Sequence, residues 1–134
     1  MTKKQLEKRV GELLTLWEER LLPHWNVTYS ISPQCKLEGG PNAWAFSRIL
    51  SGERALCVTI AGDLPWGESI FDLEHTVVHE VVHAVLFECG MRVGNDAVRP
   101  YVPAPVWAMF DETQEVLVDR IANELIRAYG RATE

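Results

Sequence analysis

Cysteine is scarce and unpatterned: Cys35, Cys57 and Cys89 are an odd number with no CxxC spacing. That argues against a disulfide scaffold or a thiolate zinc ribbon, and free thiols of this kind suit a reducing cytosol. Long apolar runs are missing as well. Nothing approaches the roughly 18 uninterrupted apolar residues of a membrane-spanning helix. Met1 to Arg9 carries charges throughout, so neither a membrane span nor a secretion signal is expected and the location expected is cytoplasmic. Basic charge is in deficit: 13 Lys and Arg stand against 19 Asp and Glu, a net charge of −6. Nonspecific binding to a phosphate backbone needs a local basic excess, so a nucleic-acid partner is disfavoured. There is no internal repeat and no low-complexity tract. What remains, 47% hydrophobic and 24% charged residues over 134 positions, suits one domain spanning 1–134 with a core of its own.

Along the chain, Leu6, Val10, Leu13, Leu14, Trp17 and Leu21 recur at spacings of three and four, which predicts an amphipathic helix ending before Pro23. Trp25 to Ser32 alternates apolar and polar residues and predicts a half-buried strand. Ala43 to Leu50 and Arg54 to Ala61, joined by a Ser51-Gly52-Glu53 turn, predict an antiparallel hairpin. Ser69 is then expected to cap a long helix closed by Gly90 at its C-terminal end. Met91 to Met109, with Pro100, Pro103 and Pro105, reads as a long loop. Asp111 is expected to cap a final helix through Tyr129, with Val118, Ala122, Leu125, Ile126 and Tyr129 on one side. The fold class expected is α+β, a small twisted sheet of three or four strands backed by three helices.

The second helix carries His79-Glu80-Val81-Val82-His83, an HExxH motif. At 100° per residue the two histidines differ by about 40° around the axis, one turn apart, so both imidazoles reach one cation. Glu80, about 100° from His79 and about 60° from His83 around the axis, borders the same face, placed to take the proton that an attacking water must lose. A buried helix with two hydrogen-bonded histidines is the plain structural alternative. A carboxylate on the last helix weighs against it. Ala122, Ile126 and Tyr129 fall within about 40° of Glu115, so Glu115 is expected to project from the apolar face, where a carboxylate is costly unless paired with a cation. Glu115 is the candidate third ligand, with Glu112 as its substitute. Asp119, one turn on, is the candidate partner for the outer N–H of a ligand histidine, or else a solvated residue. Two imidazoles and a carboxylate suit Zn2+, although cobalt or nickel fits the same donors.

The pattern HExxH followed by Glu115-x-x-x-Asp119 resembles the gluzincin metallopeptidases, the thermolysin-like branch of the zincins. The resemblance implies His79, His83 and Glu115 as zinc ligands, Glu80 as catalytic base and Asp119 as the carboxylate that orients a ligand histidine. The chain is also similar throughout to small single-domain phage and prophage HExxH proteins, in which a final helix carries Glu followed by Val-Val-x-Arg-Leu-Ala. Here Glu115 precedes Leu117-Val118-Asp119-Arg120-Ile121-Ala122. Two departures stand out: 31 residues separate His83 from Glu115, and within these 134 residues no counterpart is expected of the C-terminal domain that supplies an oxyanion-stabilising histidine in the large family. The resemblance implies a zincin-like fold and zinc-dependent hydrolysis of a peptide or protein substrate, lying extended along an edge strand within Ala43 to Ile60.

Other residues have plainer readings. His75, one turn before His79, is a fourth ligand or proton shuttle, or simply a first-turn histidine; His24 reads as a loop residue. Tyr101 and Arg99 are candidate oxyanion stabilisers if the proline-rich loop folds over the site. Of the five tryptophans, Trp66 and Trp107 flank the motif in sequence and are the candidates for substrate contact, and Cys89 reads as a buried thiol. Two rival functions stay open: a zinc-stabilised regulatory or interaction module without turnover, and a protease associated with nucleic acid, resembling the SprT-like group, against which the acidic balance weighs.

Overall fold

The structure, a computed structural model, describes residues 1–88, 101 and 103–132. Helix α1 (Lys3–Leu21) begins where Thr2 and Gln5 cap each other, Gln5 N–H donating to Thr2 Oγ1 at 3.1 Å and Thr2 N–H to Gln5 Oε1 at 2.8 Å. This reciprocal pair satisfies amides that the first turn leaves without partners. The stripe Leu6, Val10, Leu13, Leu14 and Trp17 is buried, as its spacing requires.

Strands β1 (Asn26–Ser32), β2 (Ala45–Leu50) and β3 (Ala55–Ala61) form a three-stranded sheet in the order β1-β3-β2. β2 and β3 are the expected antiparallel hairpin, with Leu50 opposite Ala55, and β1 lies parallel to β3. β3 is therefore central, and Leu56, Val58 and Ile60 are fully buried. The edge expected within Ala43 to Ile60 narrows to β2, because a central strand has both hydrogen-bonding edges occupied. Beyond β3 the chain passes very close to β1: a Cβ at Gly62 would lie 2.7 Å from Ile31 Cγ2, so a larger residue there would have to displace the Ile31 side chain.

Helix α2 (Leu73–Glu88) starts later than Ser69. Ser69 sits in the preceding turn at φ +50°, and Asp72 caps the helix instead, its Oδ1 accepting the His75 N–H at 3.1 Å. A carboxylate there meets both the free amides and the positive end of the helix dipole. Gly90, the expected C-terminal cap, lies outside the described residues, as does Cys89. α2 is buried on two sides. Val77, Val81 and Ala84 pack with α1 and the sheet, while Val78, Val82 and Leu86 pack with Trp17 of α1 and with Val118 and Ala122 of the last helix. Each fully buried aliphatic side chain contributes about 1.5–3 kcal/mol.

Helix α3 runs Ala104–Tyr129, so Asp111 lies in its second turn and caps nothing, and the loop expected through Met109 gives way to helix at Ala104. Pro103 at the cap and Pro105 in the first turn explain the misreading: proline is tolerated where an amide has no intrahelical acceptor. The observed class is mixed α+β, a three-stranded sheet with helices. Among the described residues no helix is long and apolar enough to cross a membrane. Cys35 is exposed and Cys57 half-buried, and both are free thiols, so Cys35 does not follow the habit of a buried small apolar residue.

Candidate metal centre

On α2, otherwise almost wholly buried, His75, His79, His83 and Phe87 recur every four residues as a half-buried stripe. The stripe faces a cleft of about 920 Å³ whose walls are α2, the β2 strand with the segment before it, and α3. Packing thus seals the valine faces and leaves the imidazoles open to solvent and to any bound group.

Glu115 reaches both histidines from α3. His79 Nε2 lies 2.9 Å from Glu115 Oε2, and His83 Nε2 lies 3.0 Å from Glu115 Oε1. Asp119 Oδ1 stands 3.1 Å from His79 Nδ1. The contacts pair residue 83 with 115, and 79 with both 115 and 119, so α2 and α3 run antiparallel here. His79, His83 and Glu115 each offer one donor atom, all within 4.8 Å of one another. That donor set, two imidazole nitrogens and a carboxylate oxygen from two rigid helices open to a cleft, fits a divalent cation such as zinc with a coordination position to spare.

The electrostatics are strongly polarised. For His79, burial works against protonation, but the hydrogen bond to Glu115, the charges of Glu80 and Glu115 and the Asp119 hydrogen bond outweigh it and push the ring up to about 9. Both its nitrogens face carboxylate oxygens. The hydrogen bonds from His79 and His83 hold Glu115 far below the usual carboxylate range despite partial burial. Glu80 goes the other way: only 7% exposed, its carboxyl is raised by desolvation, with His83, His79 and a hydrogen bond from Ser47 pulling against the rise.

The remaining sequence candidates sort clearly. Glu115 does not sit mid-face as expected. Its side chain is 56% exposed because Val118, Ile121, Ala122, Leu125 and Ile126 centre the packed face about 50° away around the axis. Glu112 is exposed and does not line the cleft. Tyr101 is 86% exposed and lines no part of the cleft, and Arg99 lies outside the described residues. Trp66 is a core residue whose Nε1–H donates to Ala61 O at 2.7 Å, and Trp107 is buried too, so neither is set up for substrate contact. His24 is exposed in the turn after α1. Sequence reasoning missed Trp44, Ser47, Asp111 and Gln114, all of which line the cleft. The one usable signal was strand alternation, which puts Ala45, Ser47 and Ile49 on one face of β2. Comparison with protein-family models, curated proteins and solved structures finds no match to this chain.

Proposed function

We propose that the chain is a zinc-dependent metallopeptidase of zincin-like fold and gluzincin type, acting in the cytoplasm. The observation that carries this reading is the convergence of His79, His83 and Glu115 within 4.8 Å beside the buried Glu80. Zinc held there supplies Lewis acidity toward a peptide carbonyl and toward a water. Glu80 accepts a proton from that water and delivers it to the leaving amine, and burial raises its basicity for the task. Asp119 keeps the His79 ring in one tautomer and one orientation through Nδ1. The free edge of β2 pairs with an extended substrate backbone along the cleft.

The test combines elemental analysis with cleavage of a peptide library. Wild type and Glu80→Gln should hold equal zinc, and Glu80→Gln should lose about 10²- to 10⁴-fold in turnover. A second reading, a zinc-stabilised module without turnover, draws on one observation: among the described residues no Lys, Arg or Tyr lines the cleft to stabilise an oxyanion. A wild type that holds zinc and cleaves nothing selects that reading, and a wild type without zinc removes both.

A further inference from the structure

His75 is the one histidine of the α2 stripe that the proposed chemistry leaves without a task. Its Nε2 lies 3.5 Å from Asp119 Oδ1, the same oxygen that stands 3.1 Å from His79 Nδ1. The two rings are tilted by 50° with centroids 6.5 Å apart, and the Asp119 carboxylate oxygen is the contact they share.

The supports of the two partners differ. His75 is anchored in the first turn of α2, with its amide held by Asp72 Oδ1, and Asp72 is itself gripped by the Arg131 guanidinium at 3.1 and 2.6 Å. Its side chain is 22% exposed. Asp119 is 54% exposed, and among the described residues its carboxylate contacts only these two histidines. An exposed carboxylate with one partner keeps much of its rotamer freedom and orients that partner poorly; a second donor on a rigid support removes the freedom.

We infer that His75 is a positioning residue for the metal centre, fixing the Asp119 carboxylate so that it holds the His79 ring in its ligating orientation. The inference rests on the reading of His79, His83 and Glu115 as metal ligands. It assigns His75 an N–H donor's role at Nε2, outside the ligand set.

The experiment is a zinc titration of the full chain against a chromophoric chelator, with thermal unfolding of each protein as a check on folding. Asp119→Ala should lose about 10- to 100-fold in affinity, the usual contribution of a group that orients a ligand. His75→Leu, which removes the donor at similar volume, should lose a smaller part of that, about three- to tenfold. His75→Gln, whose side-chain amide N–H can stand in for Nε2, should recover most of it. In the Asp119→Ala background, His75→Leu should have no further effect. Wild-type affinity in His75→Leu, equal losses for the Leu and Gln variants, or an undiminished His75 effect without Asp119 each overturns the inference while leaving the metal centre standing. A wild type with no zinc affinity overturns the metal centre and this inference together.

Discussion

Glu80 and Glu115 stand beside the same pair of imidazoles, yet their proton affinities are driven in opposite directions. Glu80, only 7% exposed in the wall of the cleft, is raised by desolvation, whereas Glu115, half in solvent and bonded to two ring nitrogens, is lowered. On the proposed function, these divergent environments suit Glu80 to proton transfer and Glu115 to cation binding. Glu115→Ala should therefore abolish stoichiometric zinc, a larger loss than the ~10- to 100-fold due to an orienting partner. Glu112→Ala, on the exposed side of α3, should bind zinc like the wild type. Metal content after gel filtration separates the two, and loss in Glu112→Ala would reverse the assignment. The HExxH residues were legible in the sequence because i, i+1 and i+4 are related by helix geometry alone. Choosing Glu115 over Glu112 needed the phase of a second helix, and Ser47 beside Glu80 depended on how β2 lies against α2.

The start of α2 is the element on which the stripe of histidines depends, and the C-terminal end of the chain clamps it. Arg131 forks onto Asp72, while Ala132 N–H and Trp17 Nε1–H both donate to the buried Glu74 Oε2, at 2.8 and 2.9 Å. The Arg131 hydrogen bond holds the Asp72 carboxyl below its ordinary value of 3.8, against the pull of partial burial and with help from the His75 amide. A carboxyl lowered on folding contributes stability that is full above its unfolded value and is lost as pH falls through the folded one. Urea unfolding of wild type and Asp72→Asn should thus differ by a constant amount from about pH 7 to pH 5, and the gap should close below about pH 4. A gap that widens in acid would contradict the ion pair. Ser69 and Asp111 were attractive caps in the sequence because cap residues are common in turns. Which of several candidates starts a helix is decided by where the preceding chain can turn.

At the scale of the whole molecule, Trp17 joins three helices: it is fully buried, bonded to Glu74 of α2 and edge-on to Tyr129 of α3 at 6.1 Å. Trp17→Phe keeps most of the apolar contact and removes one donor from a buried carboxylate, so it should cost about 1–3 kcal/mol in urea unfolding. Charge acts at the same scale. The net charge is −6, and the cleft is lined by Glu80, Asp111, Glu115 and Asp119 with no Lys or Arg among the described residues. Peptides with Asp or Glu beside the scissile bond should be cleaved more slowly than Lys or Arg counterparts. The difference should shrink as ionic strength rises from about 0.01 M to 1 M, where the screening length falls from about 30 Å to 3 Å. A preference indifferent to salt would place its origin in shape.

By itself the sequence determined the local periodicities: an amphipathic first helix, a hairpin, and a helix bearing HExxH, all set by interactions within a few residues. It also named the residue types suited to a cation. Tertiary structure alone decided that β3 would be central, that the histidine stripe would face a cleft, and that Glu115 and Asp119 would each meet His79 from a helix whose start the prolines concealed. Those outcomes depend on how apolar faces far apart in the chain bury one another, and burial of that kind has no signature in local spacing.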